Sequence, residues 1–313
     1  MAGTIMRVGL CARRLAQVGL KAAGVTLSWS TSLKPTAQGL NRTNFHGRTV
    51  NLRGGVGVAA GSVMAAVEAG RLTRSASTSD LSGPRSGSWV GLASTLATTA
   101  SGCAGLVDDL DAGAHDGDLP VKGLKGHLTA LARGRVTTGA LKIAVIGSGA
   151  LVSGVLLARH RSAGTDRCHL AASAVDAASS AVVIASWANL LNLLDLRPGR
   201  ALKTAFIVSA PLLATPGHDG EPTRLLAAGT LAVSLTALPE DLQESTMLGD
   251  TGANAVGALL GTALACHPSR VVRAGAALGG VGLILASEKV SFSRVIADTP
   301  VLAALDGLGR RPR

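Results

Sequence analysis

Apolar positions in this chain come in long runs, separated by short polar stretches, and not in the alternation expected of strands. A membrane-length window meets such runs at 8–29, 54–70, 88–107, 138–158, 170–194, 201–215, 224–238, 252–266 and 271–287. Crossing ~30 Å of hydrocarbon takes ~20 residues of helix, so the pattern predicts an all-α, polytopic integral membrane bundle of about nine transmembrane helices. The first run is the weakest, because Arg13, Arg14 and Lys21 break it. The same charges interrupt any signal-peptide apolar core.

The connectors give the bundle a direction. In a nine-span reading, one side carries 16 Lys and Arg and the other 9 at most, which puts segments 30–53, 108–137, 195–203, 239–251 and 288–313 in the cytoplasm. Ser75 to Ser88 is a Ser/Gly-rich connector on the outer side. There is no clear internal repeat, so residues 1–313 read as one membrane domain. Within it, residues 288–313 are an amphipathic tail with a basic end, expected to lie on the cytoplasmic surface.

Composition narrows the classes. Mean hydropathy is +0.37, with 47% apolar and only 16% charged residues, which excludes a disordered chain. Aromatic residues are 2% of the chain and Gly numbers 40, a balance that suits closely packed membrane helices better than a water-soluble core. The net charge of +11 comes without a basic stripe interleaved with aromatics, so anionic lipid or phosphate is the expected partner and nucleic acid is not. Four scattered Cys provide no disulfide framework, and Cys168–His169 with Cys266–His267 lack zinc spacing.

Acidic residues are scarce, which makes their positions informative. Asp108, Asp109 and Asp111 in GLVDDLD close the third run, Asp195 in NLLNLLD follows the fifth, and Asp250 in MLGDTGANAVG opens the eighth. Counting spans puts all three groups on one face of the membrane. Asn189, Asn192 and Asp195 recur every third residue and share one helix face. Oxygen ligands clustered at a membrane boundary suit Mg²⁺ bridging carboxylates to substrate phosphates. Gly249 to Gly252 is a turn leading into a helix, a place that favours phosphate. Lys122 and Lys125, with Arg42, Arg48 and Arg53, stand on the same side and could clamp a diphosphate.

Taken in order, GLVDD, then Lys125, NLLNLLD and GDTG, preceded by the basic loop RTNFHGRTVNLRGG, resemble the polyprenyl-phosphate N-acetylhexosamine-1-phosphate transferases over about residues 41–260. The resemblance implies a phospho-N-acetylmuramoyl-pentapeptide transferase-like enzyme of the cell (inner) membrane, with its site facing the cytoplasm. Such an enzyme moves a sugar 1-phosphate from a UDP-sugar to polyprenyl phosphate with Mg²⁺, releasing UMP, for cell-envelope glycan synthesis. By position it implies Asp108 as the base for the lipid phosphate, with Asp109 beside it, and Asp250 as the main Mg²⁺ ligand. Asn192 and Asp195 would support metal and diphosphate, and Lys125 would face the phosphates. The chain departs from the family where Asp-Gly-x-Asp-Gly is usual: Asp195 is followed by Leu196, Arg197, Pro198 and Gly199. That leaves Arg197 to handle phosphate. The family's late His-rich loop is also missing, and a homodimer fits the class.

Three other readings carry less. LKIAVIGSGALVSG begins like a dinucleotide turn, but Val152 stands where the third glycine is needed. A secondary transporter would place its acids at midplane. A catalytically reduced scaffold that keeps the fold and a lipid-phosphate pocket is the alternative, and the lost Asp-Gly repeat is what such decay would look like. Among the histidines, His46, His115 and His127 fall on the cytoplasmic side, and His127 lies two residues after Lys125.

Overall fold

A computed structural model of the chain describes residues 2–33, 39–76, 87–111, 137–162 and 170–311. Lys122, Lys125, His115, His127, Cys168 and His169 lie outside the described residues, as does most of the Ser75 to Ser88 connector. The described chain is all-α apart from one hairpin. Its helices are α1 (Ala2–Ser32), α2 (Arg53–Ala76), α3 (Gly87–Asp111), α4 (Thr138–Ser162), α5 (Leu170–Leu194), α6 (Arg200–Leu212), α7 (Glu221–Leu242), α8 (Gly249–Ala265), α9 (Arg270–Ser287), α10 (Phe292–Asp298) and α11 (Pro300–Gly307). Each of the nine apolar runs forms a helix. Five described helices, α3 from Trp89 onward, α4, α5, α7 and α9, are long and apolar enough to cross a membrane. The LKIAVIGSGALVSG run lies inside α4, with no strand or dinucleotide turn.

The bundle is built around α8. This helix packs against α2, α3, α5 and α7, and every one of its residues except Asp250 is buried. The outer helices close a ring through the contacts α1 with α2, α2 with α3, α3 with α4, α4 with α5, α5 with α6, α6 with α7, and α7 with α1. Small residues permit the approach. A β-carbon on Gly105 of α3 would stand 2.2 Å from the Asp250 carbonyl, so only glycine lets α3 lie this close to the start of α8. The core holds aliphatic side chains such as Ile184, Leu190, Leu191, Leu259 and Leu260, with Trp187 donating its indole N–H to the Ala276 carbonyl at 3.0 Å.

Both ends of α8 meet charge from other helices. At its N-terminus, Asp109 accepts from the backbone N–H of Asp250 (3.0 Å) and of Thr251 (2.8 Å), and from the Thr251 hydroxyl (2.6 Å). At its C-terminus, Arg161 donates to the Ala265 carbonyl at 3.0 Å, and is itself held by Asp176 and Ser180 at 2.7 Å each. An anion at the N-terminus and a cation at the C-terminus both oppose the helix dipole, each by up to about 2 kcal/mol when partly buried. A helix of only 17 residues is thereby fixed along its axis.

A short antiparallel hairpin, β1 (Asn41–Thr43) and β2 (Thr49–Asn51), covers one end of the bundle. Asn51 forms a parallel bridge to Thr246, which ties the hairpin to the loop that leads into α8. Arg42 donates to the Asp109 carbonyl, joining the hairpin to the end of α3 as well. Residues 288–311 fold back as the pair α10 and α11, fastened near the start of α6 by Arg200.

Candidate active site

Three helix ends and one mid-sequence lysine meet at the hairpin end of the bundle. Lys142, near the start of α4, points its ammonium between two carboxylates: Asp250 on α8, which it contacts directly, and Asp108 on α3 at 3.4 Å. Asn192 on α5 completes the group. With its amide nitrogen turned toward Asp250, it donates to Oδ1 at 2.8 Å and accepts from the Lys142 Nζ at 3.0 Å. The lysine side chain is 11% exposed and the two carboxylates about a quarter exposed, so the cluster is largely shielded from solvent.

Asp109 has a different task from its neighbour. Its two oxygens are taken up by α8, and Gly249 makes the capture possible: its backbone is left-handed (φ 57), and a β-carbon there would lie 2.9 Å from both Asp109 oxygens. The GDTG turn therefore offers its first amides to an internal carboxylate, and the phosphate expected at this helix start has no amides of Asp250 or Thr251 to bind.

Beside the cluster lies a cleft of about 460 Å³ lined by Thr43, Asn44, Phe45, Asp195, Arg197, Asp241, Glu244 and Ser293, among others. Leu196, Arg197 and Pro198, which follow Asp195, form one wall. Gly199, left-handed at φ 75, lets the chain turn from α5 into α6, and its N–H donates to Asp241 Oδ2 at 2.6 Å. Arg197 stacks its guanidinium 3.2 Å above the centre of the Phe45 ring, a cation–π contact that presents a flat, positive surface to the cleft. Burial, reinforced by the carboxylates of Asp241, Asp250 and Asp109, holds the Asp195 carboxyl well above the usual carboxylate range.

The cleft is latched at Glu244. Glu244 adopts a left-handed backbone (φ 55), rare for a residue with a side chain, and the hairpin holds it there. Asn44 donates to its carboxylate, His46 Nδ1 lies 3.0 Å from Oε1, and Arg48 Nη1 3.6 Å from the same oxygen. Burial opposes ionisation of Glu244, but these three partners prevail and hold it below its usual range. His46 and Arg48 thus belong to the latch.

Of the residues singled out from sequence, the structure brings Asp108, Asn192 and Asp250 into one cluster. Asp109 sits behind it as the anchor of α8. Asp195 and Arg197 line the adjoining cleft, and Asn189 lies one turn further along the Asn192 face of α5. Lys142 was hidden inside the fourth apolar run. A single lysine in such a run is itself a signal, because ionisable residues in a membrane helix are costly unless paired. Asp241 and Glu244 reach the cleft only through contacts with residues tens to hundreds of positions away, which no local motif reveals.

Among the described residues no three His, Cys, Asp or Glu side chains form a ready metal cage. What the cluster offers is two carboxylates around an ammonium, a place already built to stabilise a cation. Mg²⁺ commonly takes one or two protein carboxylates and fills its remaining positions with water and substrate phosphate, so Asp108 and Asp250 fit it. Compared with known proteins, the chain matches no family model and no curated sequence.

Proposed function

We propose that this protein transfers a sugar 1-phosphate from a UDP-sugar to polyprenyl phosphate at the cytoplasmic face of the cell membrane. The observation that carries the reading is the convergence of Asp108, Asp250 and Asn192, from three helices, on Lys142 beside a cleft of substrate size. It rests further on a nine-span topology in which the hairpin end faces the cytoplasm, as the distribution of Lys and Arg favours.

In this reading Asp108 accepts the proton of the lipid phosphate. A lipid phosphate oxygen then bonds to the sugar-bearing phosphorus of the UDP-sugar, the bond from that phosphorus to the bridging diphosphate oxygen breaks, and UMP leaves. Lys142 moves from its two carboxylates onto the phosphates, where its charge offsets that on the departing UMP. Asp250 would hold Mg²⁺, which when bound neutralises diphosphate charge. Asn192 fixes the Asp250 carboxylate. The nucleoside lies in the cleft between the Phe45–Arg197 stack and Asp195.

The test is UMP release by purified protein in detergent with Mg²⁺, undecaprenyl or decaprenyl phosphate and a panel of UDP-sugars. Release that requires the lipid phosphate and disappears in Asp108→Asn and Asp250→Asn supports the transferase. Folded protein that binds lipid phosphate but turns over no sugar in the panel sinks it in favour of the scaffold, for which the lost Asp-Gly repeat speaks.

A further inference from the structure

The ammonium of Lys142 is saturated by the cluster around it. Its three N–H groups have three acceptors: Asp250 Oδ2, which it touches, Asp108 Oδ2 at 3.4 Å, and the Asn192 amide oxygen at 3.0 Å. Asn192 in turn donates to Asp250 Oδ1 at 2.8 Å, so both oxygens of Asp250 already carry a partner. The seat has negative charge to spare, because two carboxylates face one ammonium and, among the described residues, neither pairs with a second Lys or Arg. Behind it, Asn254 on α8 is 0% exposed and donates to the main-chain carbonyl of Asp250 at 2.7 Å, while its Oδ1 is buried with no partner among the described residues. A buried acceptor without a partner calls for a water or an ion, and this one lies a single turn from Asp250.

We infer that Lys142 is a tethered stand-in for the divalent cation at Asp250, so that lysine and metal are alternative occupants of one seat. Charge decides this. Like charges confined side by side in a site this shielded repel strongly, and Asp250 has no oxygen left bare for a second cation. The lysine can yield, because its charge is compact and its four-carbon stem flexible. A metal entering at Asp250 expels the ammonium from both carboxylates, which bares Asp108 as well. The protein without substrate consequently binds metal weakly. A phosphate that offers the lysine a new partner strengthens metal binding, by the same factor by which metal strengthens phosphate binding. The identity of the cation rests on the transferase reading, whereas the competition itself is measured without turnover.

The test is Mn²⁺ binding to the full chain in detergent with no substrate present, read from the electron paramagnetic resonance of the free ion. Lys142→Met removes the charge and keeps most of the side chain. It is expected to bind Mn²⁺ about tenfold tighter than the parent, as relief from competition by a charge-assisted contact implies, and to lose that gain when Asp250→Asn is added. Equal affinity in parent and Lys142→Met overturns the inference and leaves the transferase reading standing, because lysine and metal then sit together. Tight binding that survives Asp250→Asn overturns it as well, since the ion then lies elsewhere. Absence of binding in every protein overturns both the inference and the place of Mg²⁺ in the transferase reading. A second readout needs no variant. Brief reductive methylation of the parent, followed by mass spectrometry, is expected to modify Lys142 several-fold faster with Mg²⁺ than without, and equal rates overturn the competition.

Discussion

Helices α8 and α9 follow one another, have almost the same length, 17 and 18 residues, and are both made chiefly of Ala, Gly, Leu and Val. One is the centre of the molecule and the other barely belongs to it. Every residue of α8 but Asp250 is buried, whereas α9 buries only Ala276 and Gly280 and leaves Val271 81% and Leu278 76% exposed. Hydrophobicity alone cannot tell the two apart, since a helix apolar on all sides is suited both to a protein core and to lipid. What separates them is how closely backbone can approach and what meets the ends. The glycines of α8 touch other helices and its termini are tied to Asp109 and Arg161, while several glycines of α9 meet open space.

The contrast can be broken most severely at Gly257, where a β-carbon would lie 2.5 Å from the Trp187 carbonyl. Gly257→Leu must displace backbone, a cost of about 1–3 kcal/mol or more, and is expected to yield aggregated protein on size exclusion in detergent. Next comes the polar end. Lys142→Met is expected to leave the thermal transition near that of the parent while lowering UMP release about 10²- to 10³-fold, as loss of one charge-stabilising donor does. Equal loss of fold and turnover there would make Lys142 a structural brace. Asp109→Asn weakens the hold on α8 by up to about 2 kcal/mol, a lower melting temperature read by tryptophan emission.

A smaller effect is expected at the latch. Glu244 has a folded pKa below its ordinary 4.5, so its contribution is complete above pH 4.5 and is lost as the pH falls through that lower value. Protection of the Gly47 and Arg48 amides from hydrogen exchange, corrected for intrinsic rates, should fall in that acid window, and in Glu244→Gln should be low already at neutral pH. Smallest of all is Gly279→Leu on α9, where nothing lies within 4 Å of a β-carbon. It should leave the melting temperature unchanged, and a loss as large as that at Gly257 would erase the distinction drawn between the two helices.

Apolar run length made the helices legible, because each run of Ala, Leu and Val has no better way to satisfy its backbone than as helix. It did not reveal which run is central, since that depends on contacts such as Gly105 against Asp250, between residues 145 positions apart in number. The acids Asp108 and Asp250 were legible through their rarity, and with the amide of Asn192 they do meet in space. Asp108 and Asp109, adjacent in sequence, carry no mark of their separate duties, one facing Lys142 and the other tying down α8. The hairpin was read only as a basic loop, because its pairing with Glu244 spans some 200 residues.

The fastening of α10 and α11 also bears on how the molecule is made. One wall of the cleft includes Ser293, and another part, Pro198, is held by Arg310. Synthesis runs from the N-terminus, so Asp108, Lys142, Asn192 and Asp250 are all in place before the residues that finish this wall have left the ribosome. Assembly of the pocket is thus among the last events of biogenesis, and a chain arrested before residue 290 would hold its charged cluster beside an unfinished cleft.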